Sequence, residues 1–398
     1  MRRVVITGAG TVNALAKDVP GTLAALAGAR SGIGPLVFPD ADRLAIRIGA
    51  QVADWPPEGH FSARDLTLAD RFSQFALTAS QEALTMAGPG IGPETGVVIG
   101  SAAGGIGTWE DSYRAVFEGG KTRVPPLTVP RLMLNAPASL VSMRHGLRGP
   151  SFALSSACAS SNHAIGLAFR MIRDGATPAM LAGGAEAMLC FGGVKAWEGL
   201  RVLSPDGCRP FDARRNGMVM GEGAAVFVLE EAGQAAARGA IALAEIVGFG
   251  MTADAGDIVV PSGEGAVAAM RQAMAEARLA PDDICYINAH GTGTAVNDRV
   301  EVAAIKEVFG PKAQGLMVSS TKAAHGHAIG ATGAIELLAC LMALRDGIVA
   351  PTLGLTTPDP DCDLDHVPNE ARRAPVGAAL SNAFAFGGLN AVLALRAV

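Results

Sequence analysis

Two stretches of this chain repeat one another with their reactive residues exchanged. Ser155–Gly166 reads SSACASSNHAIG and Ser319–Gly330 reads SSTKAAHGHAIG, identical at seven of twelve positions without a gap. Each runs on into an apolar stretch of helical character that stops at Arg-Asp-Gly, at Gly175 and at Gly347. A second pair, Gly221–Leu229 (GEGAAVFVL) and Gly387–Leu395 (GGLNAVLAL), lies at nearly the same offset. Two independent matches at one spacing argue for an internal duplication. The chain should therefore form two similar halves, 1–240 and 241–398, that stack their sheets around shared helices. The first copy carries Cys158 where the second carries Lys322, which points to a site assembled between the halves.

Short β-branched runs alternate with longer Ala-rich helical stretches. Strands are expected at Arg3–Thr7, Gly96–Gly100, Ala179–Gly183, Ala224–Glu230, Ala242–Val247, Ile284–Asn288, Gly315–Ser319, Ala378–Ala383 and Ala391–Ala397. Helices are expected at Asp70–Ala87, Asn162–Arg173, Ala266–Arg278 and Ala334–Arg345. That alternation reads as α/β with both sheet faces covered. Ala164–Ile172 is apolar nearly all round, as a core helix is. The Pro-punctuated Arg123–Ala136 reads as an irregular excursion, a lid or an interface segment.

Composition narrows the function. Apolar residues make up 49% and charged residues 17%, with a net charge of −5. No basic run or stripe stands out, so neither nucleic acid nor a membrane surface is an expected partner. The Val4–Ile6 stretch is too short for a signal-peptide core. The six cysteines are scattered without a CxxC, which argues against a zinc site or a disulfide framework and for a reduced, cytoplasmic setting.

Cys158 lies between a short apolar run and the core helix. There the unpaired N–H groups and dipole of a helix N-terminus favour an anion and should lower the thiol pKa. Its small neighbours Ala157, Ala159, Ser160 and Ser161 leave room for an acyl chain. Two of the seven histidines, His290 in YINAHGTGT and His327 in AAHGHAIGATGAIE, sit in Gly-rich turns after strands. Neutral imidazole there can donate Nε2–H to a developing enolate or thioester oxygen. Lys322 beside them would keep them neutral. Thr292 and Thr294 are candidates to bind a polar substrate arm. Asp298 and Glu301 either suit the start of a helix or pair with Lys322 and orient it. His163 reads as a packed or hydrogen-bonded helix residue. His325-Gly-His327 has no acidic or Cys cluster near it, so metal binding is not expected.

Taken together, SSACASS, NAHGTGT, STKAAHGHAIGATGAIE and NAFAFGG, in this order and spacing, resemble the β-ketoacyl-acyl carrier protein synthases, condensing enzymes of the thiolase superfamily. The synthase II branch and its type II polyketide relatives are the most similar, and the resemblance spans the chain. It implies the duplicated α-β-α-β-α layered fold and a homodimer or a heterodimer with a related subunit. It implies acyl- and malonyl-loaded acyl carrier protein as partner, and no cofactor beyond the phosphopantetheine that carries the substrates. By position, Cys158 is the nucleophile, His290 and His327 are the catalytic histidines, and Lys322 is their companion. Asp298 and Glu301 fall on the supporting acids, and Thr292 and Thr294 on the phosphopantetheine contacts. Phe386 falls on the gate whose N–H completes an oxyanion hole with that of Cys158. Phe384 and Trp109 fall on substrate-binding positions, Trp109 in the acyl tunnel. Leu389, His325 and Asp257 depart from the family pattern.

The resemblance implies decarboxylative condensation of an acyl-Cys158 with malonyl carrier protein. A non-catalytic chain-length-factor-like subunit is the alternative, disfavoured because such subunits lack the cysteine. A thiolase proper would add a second catalytic cysteine near the C-terminus, and Asn382–Gly388 offers none. A nicotinamide oxidoreductase is suggested only by Gly8-Ala9-Gly10, with Asn13 where a dinucleotide loop needs its third glycine. An acidic carrier calls for a basic patch at the tunnel mouth, with Arg64, Arg201 and Arg209 as candidates.

Overall fold

The computed structural model describes residues 2–56 and 59–398. Ten strands carry the architecture. In the first half they are β1 (Val4–Asn13), β2 (Gly96–Gly100), β3 (Ser151–Leu154), β4 (Ala179–Glu186) and β5 (Gly223–Glu231). In the second they are β6 (Ala244–Ala253), β7 (Tyr286–Asn288), β8 (Met317–Ser319), β9 (Ala378–Ala385) and β10 (Leu389–Arg396). Their order is β8-β7-β9-β10-β6-β1-β5-β4-β2-β3. Each half thus supplies a five-stranded sheet of the same mixed pattern. The two join where Val4–Ile6 of β1 pairs antiparallel with Ala244–Ile246 of β6.

Helices fill the layers. The nucleophile helix Ser160–Arg173 and its counterpart Thr332–Asp346 lie in the middle and touch strands of both sheets. Every residue from Thr332 to Leu344 is buried. Both helices end where the repeat ends, on left-handed Gly175 (φ 83) and Gly347 (φ 62), conformations that cost glycine little. Outside lie Arg71–Ala87 against the first sheet and Glu264–Ala277 against the second. Five layers result, α-β-α-β-α, the duplicated thiolase-like arrangement.

The repeat extends to packing detail. A Cβ on Gly8 or Gly10 would collide with the carbonyls of Ala83 and Ala79, and one on Gly248 or Gly250 with those of Ala273 and Ala269. In both halves an outer helix rests directly on bare strand backbone. Gly8-Ala9-Gly10 therefore lies inside β1 beneath a helix, where no phosphate could reach it. Ser151–Leu154 is a strand at the sheet edge that no alternation pattern announces, its residues exposed or half-buried. Arg123–Ala136 contains one short helix, Thr128–Leu132. Among the described residues, no helix is long and apolar enough to cross a membrane.

Candidate active site

The nucleophile stands on a strand–turn–helix elbow. The chain leaves β3, passes Ala157 in the left-handed region (φ 49), makes one tight turn over Ala157–Ala159 and enters the core helix. Ser160 Oγ donates to Ala157 O at 2.7 Å and accepts from Ser156 N at 2.8 Å, which holds the elbow closed. A non-glycine residue in that region is uncommon, and such strain persists where its surroundings over-determine it.

Cys158 is 5% exposed and lines a cavity of about 320 Å³ with His290, His327, Thr292, Phe384 and Phe386. Its sulfur and one ring nitrogen of each of the two histidines all lie within 4.8 Å of one another. The rings of His290 and His327 meet edge to face, centroids 5.5 Å apart. The backbone N–H groups of Cys158 and Phe386 lie close enough to the sulfur to favour its anion.

Burial pushes the Cys158 thiol up to about 12, and Lys322 and the two N–H groups offset it only in part. This corrects the expectation of a lowered thiol pKa. The helix N-terminus does favour the anion, but removal from water acts on the same charge and is the larger effect. In the free protein the sulfur carries its proton. Burial, then Lys322, then a nearby imidazole (His327 for His290, His325 for His327) hold both His290 and His327 well below the usual histidine value, so both are neutral near pH 7. Ile329 N donates to His327 Nδ1 at 3.1 Å, which makes Nδ1 the lone-pair nitrogen and leaves the proton on Nε2. His290 Nδ1 is buried with no partner. An unpaired lone pair there costs less than an unpaired N–H, which favours the same tautomer.

Lys322 lies behind the rings, wholly buried. Its ammonium donates to Glu336 Oε1 at 2.5 Å and to the carbonyl of His290. The expected pairing of Lys322 with Asp298 or Glu301 is not what forms. Glu301 instead accepts from the N–H groups of His290 (2.8 Å) and Gly291 (2.7 Å) and from Asn382 Nδ2 (3.1 Å). Asp298 accepts from Phe211 N (2.9 Å) and Gly293 N (3.2 Å), with Arg215 Nε 3.6 Å away. Both acids hold the His290 loop through its backbone. Glu336 is the partner the sequence reading missed. A lone acid in an otherwise apolar buried helix needs a counter-charge, and that was its available signal.

Thr292 and Thr294 line the cavity with their hydroxyls 2.9 Å apart. Phe386 begins a turn completed by Gly387 (φ 80) and Gly388 (φ 67), and its ring stacks on Trp197, centroids 5.8 Å apart. Trp109 is not in this cavity. It is 41% exposed, stacks on Tyr113 and lines a separate open groove with Ile106, Phe117 and Phe191. Trp197 is the indole at the site. Of the candidate arginines, Arg201 lines the mouth, Arg209 pairs with Asp206, and Arg64 is exposed elsewhere. Asp257 also lines the mouth and accepts from Val259 N and Val260 N. His325 bonds Thr321 Oγ1 and Gly326 O, and His163 bonds Ser156 Oγ and Ala159 O, away from the reacting centre. Leu389 opens β10.

The three reactive side chains form the only Cys/His/Asp/Glu cluster of metal-binding spacing among the described residues. The ammonium of Lys322 behind them opposes a cation, so the arrangement suits thiol chemistry with imidazole donors.

Comparison with known proteins gives the same picture. The family described as "Beta-ketoacyl synthase, N-terminal domain" matches residues 1–235, and "Beta-ketoacyl synthase, C-terminal domain" matches 243–356. Nodulation protein E of Rhizobium sp. (strain N33) is 48% identical over 401 residues, covering 100% of both chains. The 3-oxoacyl-[acyl-carrier-protein] synthase 2 of Staphylococcus aureus (strain COL) is 40% identical over 406 residues, covering 99% of this chain and 98% of its own. The solved ishigamide ketosynthase/chain length factor superposes with a TM-score of 0.95 at 32% identity, covering 100% of this chain and 99% of that one.

Proposed function

The chain belongs to the β-ketoacyl synthase family, and on that footing we propose that it condenses an acyl group held on Cys158 with a malonyl group on acyl carrier protein. The observation that carries this reading is one thiol from the first half and two neutral imidazoles from the second sharing a single cavity.

The reaction runs in two stages. In the first, the Cys158 sulfur attacks the acyl thioester, the bond to pantetheine breaks, and the thiol proton ends on the departing pantetheine sulfur, while the Nε2–H groups of the two imidazoles act only as donors. The N–H groups of Cys158 and Phe386 hold the oxyanion. A thiol with a pKa of about 12 makes this proton transfer part of the acylation step. In the second, the malonyl thioester oxygen accepts from Nε2–H of His290 and His327. Carbon dioxide departs and leaves an enolate. The enolate carbon attacks the acyl-Cys158 carbonyl, the C–S bond breaks, and the Cys158 thiolate regains a proton from solvent. The product is a β-ketoacyl thioester with two more carbons. Thr292 and Thr294 bind the pantetheine arm. Lys322 keeps the imidazoles neutral and ties the His290 loop to the Thr332–Asp346 helix. No step calls on a metal or a nucleotide.

The acyl carrier protein docks at the cavity mouth beside Arg201, and the working form is a homodimer in the cytoplasm. Light scattering on the pure chain tests the first assembly claim, because a monomer, or a dimer only with a second kind of subunit, rejects it. Intact mass after exposure to a panel of acyl carrier proteins tests the chemistry. An acyl adduct should appear and be lost in Cys158→Ala. An adduct that survives in Cys158→Ala rejects Cys158 as nucleophile.

A further inference from the structure

Glu186 closes β4 and is wholly buried, yet it does not line the Cys158 cavity. Its carboxylate takes four donors. Oε2 accepts from Ala102 N at 2.7 Å and Gly330 N at 3.1 Å, and Oε1 from Ser101 Oγ at 3.1 Å and Ala103 N at 3.3 Å. Three of these donors leave β2 in the first half, and Gly330 belongs to the second.

Gly330 follows Ile329, whose φ of 43 puts a β-branched side chain in the left-handed region. That is an outlier for this residue type and requires something to hold it. Its effect is to aim Ile329 N–H at His327 Nδ1. Gly330 is pressed hard against the same anchor. A Cβ there would stand 2.5 Å from Ala102 N and 2.6 Å from Glu186 Oε2. Ala328 N bonds Thr332 Oγ1 at 3.2 Å, so the turn is tied on its other side by its own half.

We propose that Glu186 is a positioning residue for His327: reaching from the cysteine half, it holds the 328–330 turn so that Ile329 N–H occupies Nδ1 and the proton stays on Nε2. This rests on the reading of His327 as an Nε2–H donor to the malonyl oxygen. Glu186 touches no reacting atom and acts only through the backbone of that turn. A ring free to take the other tautomer would present a lone pair where the enolate needs a donor.

The test is Glu186→Gln in full-length enzyme labelled with ¹⁵N-histidine, the His327 signals being assigned from His327→Ala. In the unaltered protein His327 should show a protonated Nε2 and a lone pair on Nδ1. In Glu186→Gln the amide NH₂ confronts N–H donors, so that signature should give way to mixed tautomers. Decarboxylation of malonyl carrier protein should fall about tenfold or more, within the range a positioned proton donor supplies. Alkylation of Cys158 by iodoacetamide should change by less than about twofold, because the elbow carries its own hydrogen bonds.

A folded Glu186→Gln protein with the His327 tautomer and decarboxylation both intact overturns the proposal. If that variant does not fold, Gly330→Ala, which displaces the same carboxylate from the opposite side, decides by the same two readouts. Should His327→Ala leave decarboxylation undiminished, the reading of His327 as donor fails, whereas the tautomer measurement still judges Glu186.

Discussion

Lys322 Nζ stands 2.5 Å from Glu336 Oε1, and neither side chain reaches solvent. Removing one member of such a pair leaves an uncompensated charge in the interior, at a cost of about 3–5 kcal/mol, whereas removing both avoids most of it. Lys322→Met and Glu336→Gln should each lower unfolding stability by about that amount, and the double variant by clearly less than the sum. Urea denaturation of the four proteins measures it. Strictly additive losses would show that the two charges do not act as a unit.

Lys322 is also the second cause of the low basicity of both site histidines. In Lys322→Met the imidazoles of His290 and His327 should titrate nearer to the ordinary histidine value, with burial still holding them below it. The acid limb of the decarboxylation rate should accordingly move to higher pH. An acid limb at unchanged pH would remove Lys322 from this role.

His325 gives a pH prediction of definite sign. Burial holds it near 3 in the folded chain, against 6.5 when unfolded. Between these values the unfolded state binds a proton that the folded state does not, so acidification favours unfolding through this window, and above 6.5 the term is constant. Each group of this kind contributes about 1.4 kcal/mol per pH unit. His325→Gln should reduce the acid-side slope of stability against pH by about that amount between pH 6 and 4. Equal slopes in the two proteins would mean that His325 is charged in the folded state.

A thiol pushed up to about 12 should be a slow nucleophile toward small reagents. The iodoacetamide rate at Cys158, read by peptide mass, should keep rising beyond pH 9 without levelling. It should fall further in Lys322→Met, since the ammonium is the largest counterweight to burial at the sulfur. A plateau below pH 8 would show a preformed thiolate and return the helix N-terminus to the dominant place.

Phe386 lies on a turn with two left-handed glycines, and the face of Trp197 is the aromatic surface its ring rests on. Trp197→Ala should therefore slow acylation of Cys158 for every acyl length alike, because what is disturbed is the placing of a donor N–H. Loss of one oxyanion donor costs ~10²–10³ in rate, and loosening it should cost about tenfold. A loss confined to long acyl chains would make Trp197 a wall of the acyl pocket instead.

The duplication was readable because it is written in identities, and it foretold a sheet built of two like halves. Each strand expected from β-branched runs lies on a strand of the structure. Ser151–Leu154 escaped because half-exposed edge residues leave no alternation. The reacting trio was also readable, since Gly-rich turns after strands and an elbow before a core helix are local signals. Three things were not. Asp298 and Glu301 lie nearer to His290 in sequence than Glu336 does, yet Glu336 holds Lys322, because spatial pairing depends on how helices cross. Trp109 falls on an acyl-tunnel position by resemblance, but in the structure it lines an outer groove and not the Cys158 cavity. The helix end is a local feature and points to a lowered thiol pKa, while burial, which raises it, is a property of the whole assembly.

The joining of β1 to β6 has a bearing on recombination. Val4–Ile6 lies between strands of both halves, pairing Glu231–Leu229 on one side and Ala244–Ile246 on the other. A chimera crossed over between residues 231 and 244 would take its thiol from one parent and its imidazoles from the other. Such hybrids would inherit every reactive group and still stand or fall on whether the borrowed seam closes, which makes shuffled parents a direct assay of how tightly the two ancestral copies have grown together.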